Sequence, residues 1–396
     1  MPRFEPFRGV LYNAEGGYVD DVIAPPYDVI SPDDRARLVA RSEHNAVRLE
    51  LPADEDGRDR YAAAAALWRQ WSDERILVTD DEPAFYAYRM GFHDEAGRPR
   101  QTTGFLGALE LTRPDEGQIL PHERTTPKAK DDRLNLLRAT RVNLSPIWGL
   151  SLAGGLSALA ESSGRPPDIR ATDDLGVHHR VWRIDSPAVV TQISETVASS
   201  PLVVADGHHR YEVGLAYRDE VGAGGGPDRV FCYVVELADE QLSVRAIHRL
   251  LAGLPEGFDL LAALAPWFEP FETAPVDETI TRRMDDAGAL ALVTPAGTWL
   301  LRPRDATVAA AGHDLDSSRL DVALAELPAH DLTFQHGWDL CAAAVQKGDA
   351  QAAVLLRPAT VAQIAAIGHG GDRMPPKTTF FYPKPATGLV FRSLDA

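Results

Sequence analysis

Apolar positions along the chain switch repeatedly between period two and helical spacing, so short elements of both kinds are expected. Ala84 to Phe92 and Thr102 to Leu111 read as strands joined by a polar Asp94-Glu95-Ala96-Gly97 turn, which predicts a hairpin. Asn45 to Leu51 alternates with period two and predicts a half-buried strand. Val22 to Ile30 predicts a shorter strand broken by Pro25-Pro26. Ser31-Pro32-Asp33-Asp34 opens a helix: Ser at the N-cap, Pro at the first position, acids in the first turn. Asp59 to Asp73 places Tyr61, Ala65, Trp68 and Trp71 as the inner face of an amphipathic helix, and Lys128 to Thr140 predicts another.

The densest chemistry sits at one predicted strand–helix junction. Leu202-Val203-Val204-Ala205 is an apolar run ending in Asp206-Gly207, and Tyr211 to Val221 continues as helix. A helix N-terminus presents backbone N–H groups and the positive end of its dipole, which suits an anion, above all a phosphate. Gly207 permits close backbone approach, Asp206 can cap the helix, and His208, His209 and Arg210 add titratable and bidentate donors. The plainer alternative is a capped helix carrying three exposed polar residues. After it, Val230 to Leu237 and Leu242 to Ile247 predict a second hairpin.

Leu254-Pro255-Glu256-Gly257 is the expected boundary, giving domains 1–254 and 255–396. Beyond it, Ala-rich helices alternate with short strands, so the fold class expected is α/β with α+β character and mixed sheets. Two irregular segments carry further candidates. Pro121 and Pro127 bracket His122-Glu123-Arg124, which is either a surface loop or a catalytic carboxylate beside an imidazole. Gly368 to Arg392 contains Arg373, Lys377 and Lys384 among prolines. That last loop either closes over a phosphorylated ligand or pins the two domains together.

At 396 residues with 44% hydrophobic and 25% charged positions, the chain has the make-up of an ordinary two-domain globular protein. A net charge of −18 argues against a DNA-binding surface but leaves room for a local basic pocket. Cys232 and Cys341, the two cysteines, both sit in apolar surroundings and read as buried thiols. No His-x-x-x-His pair accompanies His122, and neither a signal core nor an 18-residue apolar run occurs, so a cytoplasmic protein is expected.

Asp206-Gly207-His208-His209-Arg210-Tyr211-Glu212 closely resembles the signature of the DUF1015 family. Ala24-Pro25-Pro26-Tyr27-Asp28-Val29-Ile30-Ser31, Pro121 to Thr125 and Met374 to Phe380 match it in the same order. The junction also resembles the nucleotide-binding turn of the ParB/sulfiredoxin fold, which includes the free-serine kinases. A sulfiredoxin-type reaction is disfavoured, because His208 stands where that chemistry needs cysteine. The resemblance implies a nucleotide-binding region within 1–254 and phosphoryl transfer from a nucleoside di- or triphosphate, with Mg²⁺, to a small hydroxylated metabolite. On that reading Glu123, His209 and Asp206 are catalytic. Gly207, His208, Arg210, His122, Arg124 and Lys377 hold the nucleotide, and Asp206 meets the metal. The alternative is a non-catalytic, ParB-like regulator binding the same ligand.

Overall fold

The computed structural model describes residues 1–54, 57–94, 97–113, 116–121, 127–160, 164–370, 372 and 374–395. The chain divides into two compact units, Met1–Ser243 together with Pro383–Ala396, and Val244–Tyr382.

The first unit is built on a mixed sheet. Its long strands are β1 (Phe85–His93), β2 (Pro99–Glu110), β3 (Ile119–Pro121), β4 (Ile147–Ser151), β5 (Ile169–Thr172), β6 (His178–Ile184), β7 (Leu202–Asp206) and β8 (Arg229–Glu236). Their order is β3-β7-β4-β8-β2-β1-β6-β5. β7 runs parallel to β3 and β8 parallel to β4, while β7–β4, β8–β2, β1–β2, β6–β1 and β6–β5 are antiparallel. The expected hairpin is thus β1–β2. One core packs around Phe85, Phe105, Ile147, Leu202, Val204, Cys232 and Val234, all essentially sealed from solvent.

A smaller sheet in the same unit has the order Leu77–Thr79, Gly9–Tyr12, Phe391–Ser393, Val142–Asn143. A strand from the last residues of the chain therefore lies between two strands from its first half. This places the unit division at Ser243/Val244 and returns the tail to the first unit, whereas the sequence pattern placed the boundary after residue 254. The reason lies in pairing: His248–Ala252 bonds to Ala352–Leu355 and Asp331–Gln335, deep in the second unit's sheet.

Three predicted elements differ. Val47–Glu50 is a short helix, not a strand. Asn45 is buried, accepts the Val47 N–H at 3.0 Å and donates to Asp21 O and Ile23 O. With Val47, Leu49 and Glu50 all buried, no solvated face marks the helical period. Val22 to Ile30 contributes only the isolated bridge Ala24–Thr387 and a 3₁₀ turn at Tyr27–Val29. The second hairpin does not form, because β8 is an inner strand and Ser243–Ala246 pairs instead with Thr379–Tyr382.

The second unit holds a six-stranded sheet, ordered Phe268–Thr273, Gly297–Pro303, Leu290–Thr294, Ala352–Leu355, His248–Ala252, Asp331–Gln335. Every pairing in it is antiparallel. Leu251, Leu264, Leu292 and Leu320 pack in one apolar cluster, and Met284, Cys341 and Val345 in another. His248 is buried, and its Nδ1 accepts the Leu356 N–H at 3.2 Å.

Candidate functional site

β7 ends at Asp206 and the helix α1 (His208–Val221) begins two residues later. Gly207 makes the turn at φ +89°, a left-handed conformation that glycine adopts without Cβ strain. Gly207, at the N-cap, has no side chain with which to cap the helix. Asp206, expected to cap it, points elsewhere. Its Oδ2 accepts from Arg210 Nη2 at 2.8 Å and its Oδ1 from Lys384 Nζ at 2.9 Å. Lys384 also donates to Asp28 Oδ2, so one ammonium joins two carboxylates from distant parts of the sequence.

Arg210 is held from behind as well. Its Nη1 donates to Ser145 Oγ at 2.9 Å and to the Pro146 carbonyl. Ser145 in turn donates to the buried carboxylate of Glu50 at 3.0 Å. The Glu50 carbonyl accepts from Arg133 at 2.7 Å. Tyr27 lies beneath both guanidinium groups, 4.4 Å from that of Arg133 and 5.9 Å from that of Arg210. A cavity of about 50 Å³ behind this layer is lined by Glu50, Arg133, Ser145 and Arg210, which is room for water and not for a ligand.

The electrostatics follow from this packing. Burial would raise the Asp206 carboxyl, but Lys384 and Arg210 outweigh it and hold the group far below the usual carboxylate range. Burial would likewise discharge Lys384, and the carboxylates of Asp206 and Asp28 overcome that, raising it above an ordinary lysine. Asp206, Arg210 and Lys384 are therefore all ionised at neutral pH. Arg210 Nε is buried and has no hydrogen-bond partner among the described residues. A Cβ on Gly207 would stand 3.1 Å from that Nε and 3.0 Å from Nη2. A helix end opened by glycine, beside a guanidinium nitrogen unsatisfied among the described residues, fits an anionic group such as phosphate.

A resident Mg²⁺ does not fit in the same way. Both Asp206 oxygens are engaged by cations, so a metal there would have to displace Lys384 or Arg210. Among the described residues no group of three His, Cys, Asp or Glu could hold a metal ion.

Of the other expected site residues, His208 is buried and His209 half-buried at the start of α1. His122, Glu123 and Arg124 lie outside the described residues, as does Arg373. Pro121, which precedes them, pairs with Val204 across the parallel β3–β7 ladder. Lys377 belongs to the second unit, exposed on a turn whose carbonyl accepts from Arg249. Tyr27, Glu50, Arg133 and Ser145 were not assigned to the site from sequence, although Tyr27 lies in the Ala24 to Ser31 stretch that carries the family resemblance. No sequence signal marked Glu50 for burial, because in Val47-Arg48-Leu49-Glu50-Leu51 it occupies a polar position of the period-two alternation.

The family model described as a protein of unknown function (DUF1015) matches residues 4–323. The chain belongs to the DUF1015 family. A search of curated proteins finds no match to this DUF1015 chain. Among solved structures it is similar to a conserved hypothetical protein from Pyrococcus furiosus, at 14% identity and TM-score 0.36, covering 70% of this chain and 93% of that one. A free serine kinase variant in complex with ADP aligns at 13% identity and TM-score 0.37, covering 67% and 84%. SbnI with a C-terminal truncation, from Staphylococcus aureus, aligns at 14% and 0.38, covering 71% and 85%. As its sequence pattern implies, the chain's fold is α/β, with one mixed sheet beside antiparallel ones among the described residues, where no helix is long and apolar enough to cross a membrane.

Proposed function

We propose that this protein binds a nucleoside di- or triphosphate through its phosphates at the Asp206–Arg210 turn and transfers a phosphoryl group to a small hydroxylated metabolite. The observation that carries the reading is an α1 N-terminus opened by Gly207 beside a buried Arg210 Nε that has no hydrogen-bond partner among the described residues. Backbone N–H groups, Arg210 and the helix dipole would stabilise charge as the terminal phosphorus leaves its bridging oxygen and bonds to the metabolite's hydroxyl oxygen. The hydroxyl proton then needs a carboxylate. Asp206 is unsuited, with both oxygens spent on cations.

Glu123 is the candidate instead. Pro121 stands two positions before it and pairs with Val204, two positions before Asp206, at the C-terminal ends of parallel strands where α/β sheets bind ligands. His209, half-buried in the first turn of α1, is the second proton carrier considered. His208, His122 and Arg124 are assigned to phosphate binding. A nucleotide-using enzyme with two buried thiols and a net charge of −18 suits the cytoplasm and does not suit DNA.

Titration calorimetry with ATP and ADP tests the binding step. Arg210→Ala should weaken it by about 10- to 150-fold, the loss of one charge-assisted contact. Glu123→Gln should leave binding nearly intact and abolish transfer to a panel of hydroxy amino acids. Because Asp206 is fully committed to Lys384 and Arg210, a second reading is also favoured: a ligand-gated regulator using the same cradle. Nucleotide binding without turnover on any of those acceptors would select it.

A further inference from the structure

Lys384 is an unusual residue to find at a helix N-terminus. Cations are disfavoured beside the positive end of a helix dipole, and burying an ammonium is costly. Yet its side chain is only 11% exposed and donates to Asp206, two residues before α1 begins. The backbone fixes it there. The Ala24 and Thr387 backbones exchange hydrogen bonds at 2.9 and 2.8 Å, and the Ala386 N–H donates to Tyr88 Oη at 3.2 Å. That bridge brings the segment carrying Asp28 against the segment carrying Lys384.

The two carboxylates that hold Lys384 are not equivalent. Asp206 is 21% exposed and also bound to Arg210, whereas Asp28 is 38% exposed. The pair with Asp28 is the weaker and more readily exchanged.

We propose that Lys384 binds the ligand's phosphate, its ammonium exchanging Asp28 for a phosphate oxygen while keeping Asp206. The C-terminal segment is then a working part of the first unit's site. This rests on the nucleotide reading given above, and deepens it: the ligand is recognised by two cations, Arg210 and Lys384, set at one helix end, which is chemistry for a di- or triphosphate chain.

Calorimetry on the full chain tests it, with ATP and with inorganic tripolyphosphate. Lys384→Met should weaken both by about 10- to 150-fold, and Lys384→Arg by less. Asp28→Asn should bind both more tightly, since it frees the ammonium of one competitor and removes a negative charge. That opposite sign guards against a Lys384→Met chain that fails to fold, because Asp28→Asn keeps the Lys384–Asp206 pair. If the unsubstituted protein binds ATP but Lys384→Met binds it equally, or Asp28→Asn binds it no more tightly, the role of Lys384 is overturned while the nucleotide reading stands. If the unsubstituted protein binds neither probe, both fall.

Discussion

Single side chains in this protein are tuned by burial against partners: partners prevail at Asp206 and Lys384, whereas burial prevails at His248. In the second unit burial, reinforced by His336 and Arg249, lowers the His248 imidazole to about 4. Its Nδ1 must stay unprotonated to accept the Leu356 N–H. An unfolded chain takes up that proton near pH 6.5, so between pH 6.5 and 4 the unfolded state binds more protons and stability is lost as the pH is lowered. The full effect is on the order of 3 kcal/mol. Urea midpoints at pH 7 and pH 4.5 measure it, and His248→Asn, which keeps an acceptor without titrating, should flatten the slope.

At the scale of elements, the strand–turn–helix from Leu202 to Val221 was legible because its information is local: an apolar run, Asp-Gly, then helix formers. The same locality makes it testable. At φ +89° an alanine at position 207 costs about 1–2 kcal/mol in backbone strain, and its Cβ crowds Arg210 and Ile147. Gly207→Ala should therefore lower the urea midpoint and weaken nucleotide binding together. Gly207→Asn, better tolerated in the left-handed region, should cost less. Legibility ended where partners are remote or faces are uniform. Lys384 and Asp28 lie 356 positions apart, and their meeting depends on the Ala24–Thr387 bridge, for which neither segment carries a periodic signal. The sequence places Lys384 in a loop that either closes over a phosphorylated ligand or pins the two domains together, without marking its partners. Val47–Glu50 escaped as a helix because Arg48 and Glu50 alternate with Val47, Leu49 and Leu51 as on a half-wet strand, whereas Glu50 is in fact buried against Ser145.

At the scale of the molecule, the first unit is completed by the chain's end. Leu389, Val390 and Phe391 are buried. Arg392 donates to Asn143 Oδ1 at 3.0 Å, the Arg229 carbonyl at 3.0 Å and the Gly226 carbonyl at 2.9 Å. Burial of Phe391 alone is worth about 1.5–3 kcal/mol, a large share of typical domain stability. A chain ending at Tyr382 should lose the first unit's cooperative thermal transition and bind a hydrophobic dye. A sharp transition in that shortened chain would show the tail to be dispensable. The arrangement also has a consequence in time. When Ser243 leaves the ribosome, the strands Gly9–Tyr12 and Val142–Asn143 have no neighbour between them. At about 5–20 residues per second, the missing strand is delivered roughly 8–30 s later. Throughout that interval the nascent chain exposes apolar surface to chaperones, and a message cut short between Ser243 and Phe391 yields a product that proteases can tell from one carrying that strand.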